Sequence, residues 1–216
     1  MKAIIFDMDG VILESALVKT DAFADLFGFC DDETIDKILE HHIKNGGVSR
    51  YKKIKHYYKE FLNKELTEKE IEKIAEYYHK LVIDKVLLCP FVEGVKKFIE
   101  NNYMHNDIDL FIVSGTPTFE LKEILEKKGL TKYFKAYYGT TATITKANIL
   151  DGISYDFGYH KKDMVYIGDS LSDYLSARSS GVKFIGRLSE IQNHFPIGVD
   201  IIKNFKGEKL WFFPQK

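Results

Sequence analysis

Cysteine is nearly missing from this chain of 216 residues: Cys30 and Cys89 are its only two, far apart and outside any CxxC or Cys/His cluster. That excludes a disulfide framework and a thiolate zinc site, and it fits a reducing cytoplasm. Long apolar runs are missing too. None approaches the ~20 residues a membrane-spanning helix needs, and Asp7 interrupts the first before it could act as a secretion signal. The expectation is a soluble, unprocessed, cytoplasmic protein with no membrane partner. Neither sign of charge is in excess, since 31 Lys and Arg face 32 Asp and Glu for a net charge of −1. Such a balance gives no general attraction for nucleic acid, so any preference for anions has to be local. Arginine is scarce, at three residues, and neither internal repeats nor low-complexity segments are visible.

What the chain has instead is alternation. Short runs rich in Ile, Val, Phe and Tyr lie at 2–6, 109–113, 135–139, 163–167 and 182–186, most of them closed by Gly, Ser or Asp. These read as buried strands. Helical periodicity fills intervals between them, as in "VEGVKKFIEN" (92–101) and "PTFELKEILEKKG" (117–129), where Leu121, Ile124 and Leu125 share a face and Gly129 supplies the stop. Strands alternating with helices predict right-handed crossovers and an α/β fold with a Rossmann-like, mainly parallel sheet. After the first strand the rhythm breaks: four helical stretches, near 16–29, 32–44, 49–62 and 67–84, follow with no strand between them. The predicted division is an α/β core of residues 1–14 and 89–216 carrying an inserted all-helical cap, residues 15–88. In the third stretch Tyr51, Ile54, Tyr58, Phe61 and Leu62 can form one apolar face with the lysines mostly opposite, and "TEKE" (67–70) has the form of a capping box. The aromatics of "KLWFFPQK" (209–216) are expected to tuck against the core.

An open parallel sheet binds ligands beyond the carboxyl ends of its strands. The residues found there are Asp7 and Asp9 of "FDMDG", Ser114 and Gly115 of "VSGTP", Lys146 in the loop of "TITKAN", and Asp169 and Asp173 of "GDSLSD". Each alone has an ordinary reading as a cap, a turn or a surface charge. Collected in one crevice, however, four carboxylates repel unless a cation or protons neutralise them. Hard oxygen donors without His or Cys suit Mg2+, which is commonly held by one or two carboxylates plus a substrate phosphate. Such a site can transfer a phosphoryl group, with Asp7 attacking, Asp9 shuttling the proton, and Ser114 and Lys146 holding the oxygens.

In that order, and with a helical insertion straight after the first of them, "DMDGV", "VSG", Lys146 and "GDSLSD" closely resemble the haloacid dehalogenase superfamily, in its phosphatase and phosphomutase branch with a C1 cap. The resemblance covers nearly the whole chain. It implies that Asp7 forms an aspartyl-phosphate and ligates Mg2+, while Asp9 acts as acid and then base and touches the metal through its backbone carbonyl. Gly10, Ser114 and Gly115 would bind phosphate, Lys146 would steady the nucleophile and the transferring charge, Asp169 would ligate the metal, and Asp173 would support it. Asp9 argues against dehalogenation, because a halide leaves without a proton.

"GGVSR" (46–50) resembles the cap loop of β-phosphoglucomutases, in which the arginine meets a second phosphate. That makes Arg50, with Lys44, a candidate substrate contact; the other reading is an exposed Arg50 behind a helix-capping Ser49. Lys19 stands where those mutases carry a histidine. His41 and His42, near this loop, are further candidate contacts. The expectation is a Mg2+-dependent phosphatase acting on a small phosphorylated metabolite such as a sugar phosphate, as a monomer or homodimer. A sugar phosphomutase and a catalytically idle binding relative are the alternatives.

Overall fold

A computed structural model describes residues 1–104, 107–189 and 195–206 of the chain. The first strand, β1 (Ala3–Phe6), has all four residues buried, as suits an apolar run covered on both faces. Four helices follow without a strand: α1 (Ala16–Leu26), α2 (Asp32–Lys44), α3 (Arg50–Glu60) and α4 (Glu68–Leu88). The alternation then runs α5 (Val95–Tyr103), β2 (Asp109–Ser114), α6 (Thr118–Lys127), β3 (Ala136–Gly139), α7 (Lys146–Asp156), β4 (Met164–Gly168), α8 (Leu171–Ser180), β5 (Lys183–Arg187) and β6 (Asp200–Ile202). The expected capping box forms, with Thr67 and Glu70 bonded reciprocally at the start of α4. That helix outruns its expected end and stops at Cys89, because Pro90 disfavours the helical conformation in the residue before it.

All strand pairs are parallel, in the order β3-β2-β1-β4-β5-β6. The chain therefore fills one side of β1 first and the other side later. This reversal opens a crevice beyond the carboxyl ends of β1 and β4, which is where such sheets take ligands. Alternate side chains feed two apolar layers: Ile4, Phe6, Ile112 and Ile167 join a cluster that runs on into α1, α3 and α4, while Ile5, Phe111 and Tyr166 pack under α7 and α8. The two crossings to the helices of 16–88 are tied together by Glu14 N donating to Pro90 O and Val92 N to Ile12 O, each at 3.0 Å.

Two expectations need correction. Strand β6 was not foreseen, because three residues opening on Asp200, two of them exposed, leave almost no apolar signal at a sheet edge. In α3 the buried stripe is Arg50, Lys53, Ile54 and Tyr57, spaced i, i+3, i+4, i+7. The expected face of Tyr51, Ile54, Tyr58, Phe61 and Leu62 is only half-buried apart from Ile54, so the helix is turned to bury two cations. Both cysteines are free thiols. Among the described residues no helix is long and apolar enough to cross a membrane. The 209–216 segment lies outside the described residues.

Candidate active site

Asp7 follows β1 directly and is buried; its Oδ1 accepts the Met8 amide at 2.8 Å and its Oδ2 lies 3.0 Å from Lys146 Nζ. Lys146 is the first residue of α7 rather than a loop residue, set there by a capping box between Thr145 and Asn148. Its ammonium also reaches Asp173 Oδ1 at 2.5 Å. Asp173 belongs to another capping box, with Ser170 at the start of α8, and accepts the Tyr166 hydroxyl at 2.7 Å and the Ser170 hydroxyl at 2.6 Å. The ordinary reading of "DSLSD" as a helix cap is therefore correct for Ser170 and Asp173, and it coexists with the pairing to Lys146.

Asp7, Asp169 and Asp173 offer oxygens within 4.8 Å of one another, all buried. Burial lifts the Asp7 carboxyl to about 7, with Lys146 pulling it down and Asp173 and Asp9 pushing it up. Asp169 is raised well above the usual carboxylate range by burial first and then by Asp7 and Asp173. One ammonium does not balance three buried carboxylates. The donor set, all hard oxygens and short of positive charge, fits a divalent cation. Asp173 already spends both oxygens on Lys146, Tyr166 and Ser170, which leaves Asp7 and Asp169 as the open donors. The Asp9 carboxylate lies outside this group.

Asp9 is occupied elsewhere. It accepts from Ser15 Oγ at 2.6 Å, Lys19 Nζ at 2.6 Å and Thr116 Oγ1 at 2.9 Å, and Lys19 bonds Thr116 as well. Burial pushes its carboxyl up, but Lys19 and the hydroxyls outweigh that and hold it below the usual carboxylate range. This is the setting of an ionised base, not of a carboxyl waiting to give its proton. Ser114 closes β2, buried, its hydroxyl accepting the Thr116 amide at 3.1 Å. Gly10 turns the chain at φ +72°, and its carbonyl accepts from Arg187 Nη1 at 3.1 Å.

Asp7, Asp9 and Asp169, with Gly115 and Thr116, line a cavity of about 90 Å³ from the sheet side, and Lys19, Arg50 and Lys53 line it from the helical side; Gly10, Ser114, Lys146 and Asp173 stand outside its lining. The Gly46-Gly47 loop lies across it, with Ser172 Oγ bonded to the Gly46 carbonyl. Gly47 sits at φ +77°, and a Cβ there would fall 2.6 Å from Ser172 Oγ and 3.0 Å from Lys146 Nζ, so only glycine permits this approach.

Over residues 4–187 the chain matches the family model described as haloacid dehalogenase-like hydrolase. The chain belongs to this family. A curated phosphoglycolate phosphatase of Haemophilus influenzae is similar, 24% identical over 208 residues that span 91% of this chain and 89% of that protein. Among solved structures, a family IA, variant 3 HAD hydrolase of Entamoeba histolytica superposes with a TM-score of 0.77 at 18% identity, covering 98% of this chain and 97% of that one. CbbY of Rhodobacter sphaeroides, solved with phosphate, gives 0.74 at 17% identity and 95% of each chain.

In this haloacid dehalogenase-like hydrolase the helical side of the cavity departs from expectation. Lys44 is exposed, paired with Glu40 at 2.5 Å, and does not line the cavity. Arg50 is neither exposed nor free: it is buried, stacked 4.7 Å from the Tyr78 ring centroid, with Nη2 2.8 Å from each oxygen of Glu120. Ser49 makes no side-chain cap. His42 lines the cavity, whereas His41 stacks on His56 outside it. Sequence reasoning missed Ser15, Thr116, Lys53 and Glu120. The i, i+3 spacing of Arg50 and Lys53 was the available signal for one of them.

Glu120, fully buried in the first turn of α6, gathers Arg50, His79 at 2.9 Å and Lys19 at 3.8 Å, one from each of α3, α4 and α1. Burial raises its pKa, but Arg50, His79 and Lys19 win and bring it from 4.5 to about 2. A carboxyl depressed in this way contributes stability above its unfolded value that is lost as pH falls through its folded one. Unfolding midpoints should therefore show a wild-type advantage over Glu120→Gln on the order of 3 kcal/mol above pH 5, shrinking as pH falls from 4.5 towards 2. A difference that stays constant across that window would show that the charge is not what matters.

Proposed function

We propose that this chain is a Mg2+-dependent phosphatase of small phosphorylated metabolites that works through an aspartyl-phosphate on Asp7, with residues 15–88 as a cap over a core of 1–14 and 89–216. The observation that carries this reading is Asp7 itself: a buried carboxylate beside Lys146 and Asp169, lining a cavity at the sheet's reversal point. Asp7 and Asp169, supported by Asp173, would hold the ion, which when bound supplies positive charge to the phosphoryl oxygens and quiets the repulsion among the acids.

The chain's own groups do the rest. Lys146 keeps Asp7 aimed and opposes the protonation that burial favours, and it would meet the oxygens of the transferring group. Gly115 and Thr116, which line the cavity, would form the phosphate-side wall. The leaving oxygen takes a proton from the Lys19 ammonium, relayed through the ionised Asp9 carboxylate bonded to it, which leaves Lys19 neutral and Asp9 still ionised; in the second half Asp9 takes a proton from the attacking water and passes it to Lys19, restoring the ammonium. Replacing Asp9 by Asn should spare folding and slow the chemical step roughly 10²-fold, read by single-turnover rates. Equal single-turnover rates would remove Asp9 from the mechanism.

The phosphomutase alternative rested on "GGVSR" placing Arg50 on a second phosphate, and Arg50 is turned instead onto Glu120. A screen of phosphorylated metabolites with Mg2+, scoring phosphate release against isomer formation, tests the reading; isomer formation without phosphate release would replace it with the mutase.

A further inference from the structure

Of the chain's three arginines, Arg187 closes β5, is buried and stands outside the cavity lining, yet its guanidinium is tied to the turn that carries Asp9. Nη1 and Nη2 form a fork on the Glu14 carboxylate, at 2.8 and 2.5 Å, and Nη1 also donates to the Gly10 carbonyl at 3.1 Å. Nε donates to the Lys203 carbonyl at 3.1 Å, which fixes the head against the edge of the sheet, where Arg187 pairs with Ile202. The two points it holds flank Asp9. Gly10 follows Asp9 directly, and Glu14 precedes Ser15, whose hydroxyl donates to Asp9 Oδ1 at 2.6 Å. Between them residues 8–13 are tightly wound, with Gly10 N donating to Leu13 O at 2.7 Å and the Ile12 and Leu13 amides both donating to Met8 O. A Cβ on Gly10 would collide with Asp169 Oδ2, so the turn already rests against the acid cluster and cannot shift that way. A bidentate fork between arginine and carboxylate fixes geometry as well as charge, and a lysine cannot reproduce it.

We infer that Arg187 is a positioning residue: by holding the Gly10 carbonyl and the Glu14 carboxylate it fixes the turn of residues 9–15, and so aims the Asp9 carboxylate at the leaving oxygen. The inference rests on the phosphatase reading and adds to it the group that orients the proton carrier. With the fork gone the turn is loosened at both ends, and Asp9 moves with it. Misplacing a reacting group by about 1 Å can cost on the order of 10²-fold. The loss falls on esters whose leaving oxygen needs a proton, while attack by Asp7, which Lys146 steadies from α7, is spared.

The experiment compares kcat/KM for phenyl phosphate and p-nitrophenyl phosphate, with Mg2+, in wild type, Arg187→Lys, Glu14→Gln and Asp9→Asn. The two esters are alike in size and charge, but phenoxide is the far more basic leaving group and needs the proton that nitrophenoxide does without. Their ratio is independent of the folded fraction, so a merely destabilised variant leaves it unmoved. Arg187→Lys, which keeps the charge and loses the fork, should lose ~10-fold more on phenyl phosphate than on p-nitrophenyl phosphate. Glu14→Gln should move the ratio the same way by less, and it carries the test if Arg187→Lys does not fold. Joined to Asp9→Asn, Arg187→Lys should change the ratio no further, because a residue acting through Asp9 has nothing left to aim. Equal loss on both esters, no loss on either, or a further fall in the Asp9→Asn background overturns the inference and leaves the phosphatase reading standing. Wild-type hydrolysis of p-nitrophenyl phosphate alone does the same, since no proton then reaches the leaving oxygen. Hydrolysis of neither ester by wild type sinks both.

Discussion

Replacing Asp7 by Asn should abolish turnover, by on the order of 10⁴- to 10⁶-fold, the scale seen when a covalent nucleophile is removed. A carboxamide is nearly the same shape, so the loss reports chemistry and not packing. It cannot attack phosphorus, and it no longer offers the charge that a cation beside Asp169 needs. Stability should move the other way. Asp7 is a buried carboxylate whose burial and acidic neighbours lift it to about 7, so a neutral side chain relieves repulsion among Asp7, Asp169 and Asp173. Lys146 keeps Asp173 as its partner at 2.5 Å. Thermal unfolding of the metal-free variant should therefore occur at or above the wild-type temperature. A variant that keeps most of its activity, or loses it only through unfolding, would place the nucleophile elsewhere.

The second large effect is expected at Lys146. This ammonium, 3% exposed, is the positive charge that pairs Asp7 and Asp173 directly. Lys146→Met keeps the length of the side chain and removes the charge, leaving buried carboxylates facing one another. Breaking a buried pair by deleting one partner costs about 3 to 5 kcal/mol, and turnover should fall with it. The sign of the pH dependence follows from the acids left behind: carboxyls whose folded pKa is raised are best tolerated when protonated. The deficit should be greatest above pH 7 and shrink as pH falls towards the ordinary value of 3.8. Added Mg2+ should recover part of the lost stability, because a divalent ion answers the same excess of negative charge. Denaturant midpoints across pH, with and without Mg2+, measure both. A variant as stable as wild type at every pH would mean that the acids do not need neutralising.

The sheet and the acid cluster were legible because local rules and function agree there. Apolar runs ending in Asp, Ser or Gly announce both a strand and the mouth of a crevice, and Asp7, Ser114 and Asp169 fall where those runs end. The helical wall was harder to read for a physical reason. Amphipathic reasoning assigns cations to solvent, so Lys53 was placed outside and Lys44, beside the loop, inside; the fold does the opposite, because the stripe of α3 faces a polar cavity and not only an apolar core. Glu120 was invisible for a related reason. It lies in an ordinary helical run, and its worth comes from Arg50, His79 and Lys19, which are distant in sequence and meet it only after folding. Asp9 lies at the crevice where it was expected, but Lys19 and Thr116 were not foreseen as the partners that hold it.

The central claim is that phosphate passes through Asp7. It is tested most directly by quenching the enzyme in acid during turnover with Mg2+ and a hydrolysed ester, reducing with borohydride, and mapping the peptides. An acyl phosphate on Asp7 reduces to homoserine, so the predicted result is homoserine at position 7 and at no other acidic residue. Unmodified Asp7 in an enzyme caught turning over, or reduction at Asp9, Asp169 or Asp173 instead, would contradict the account.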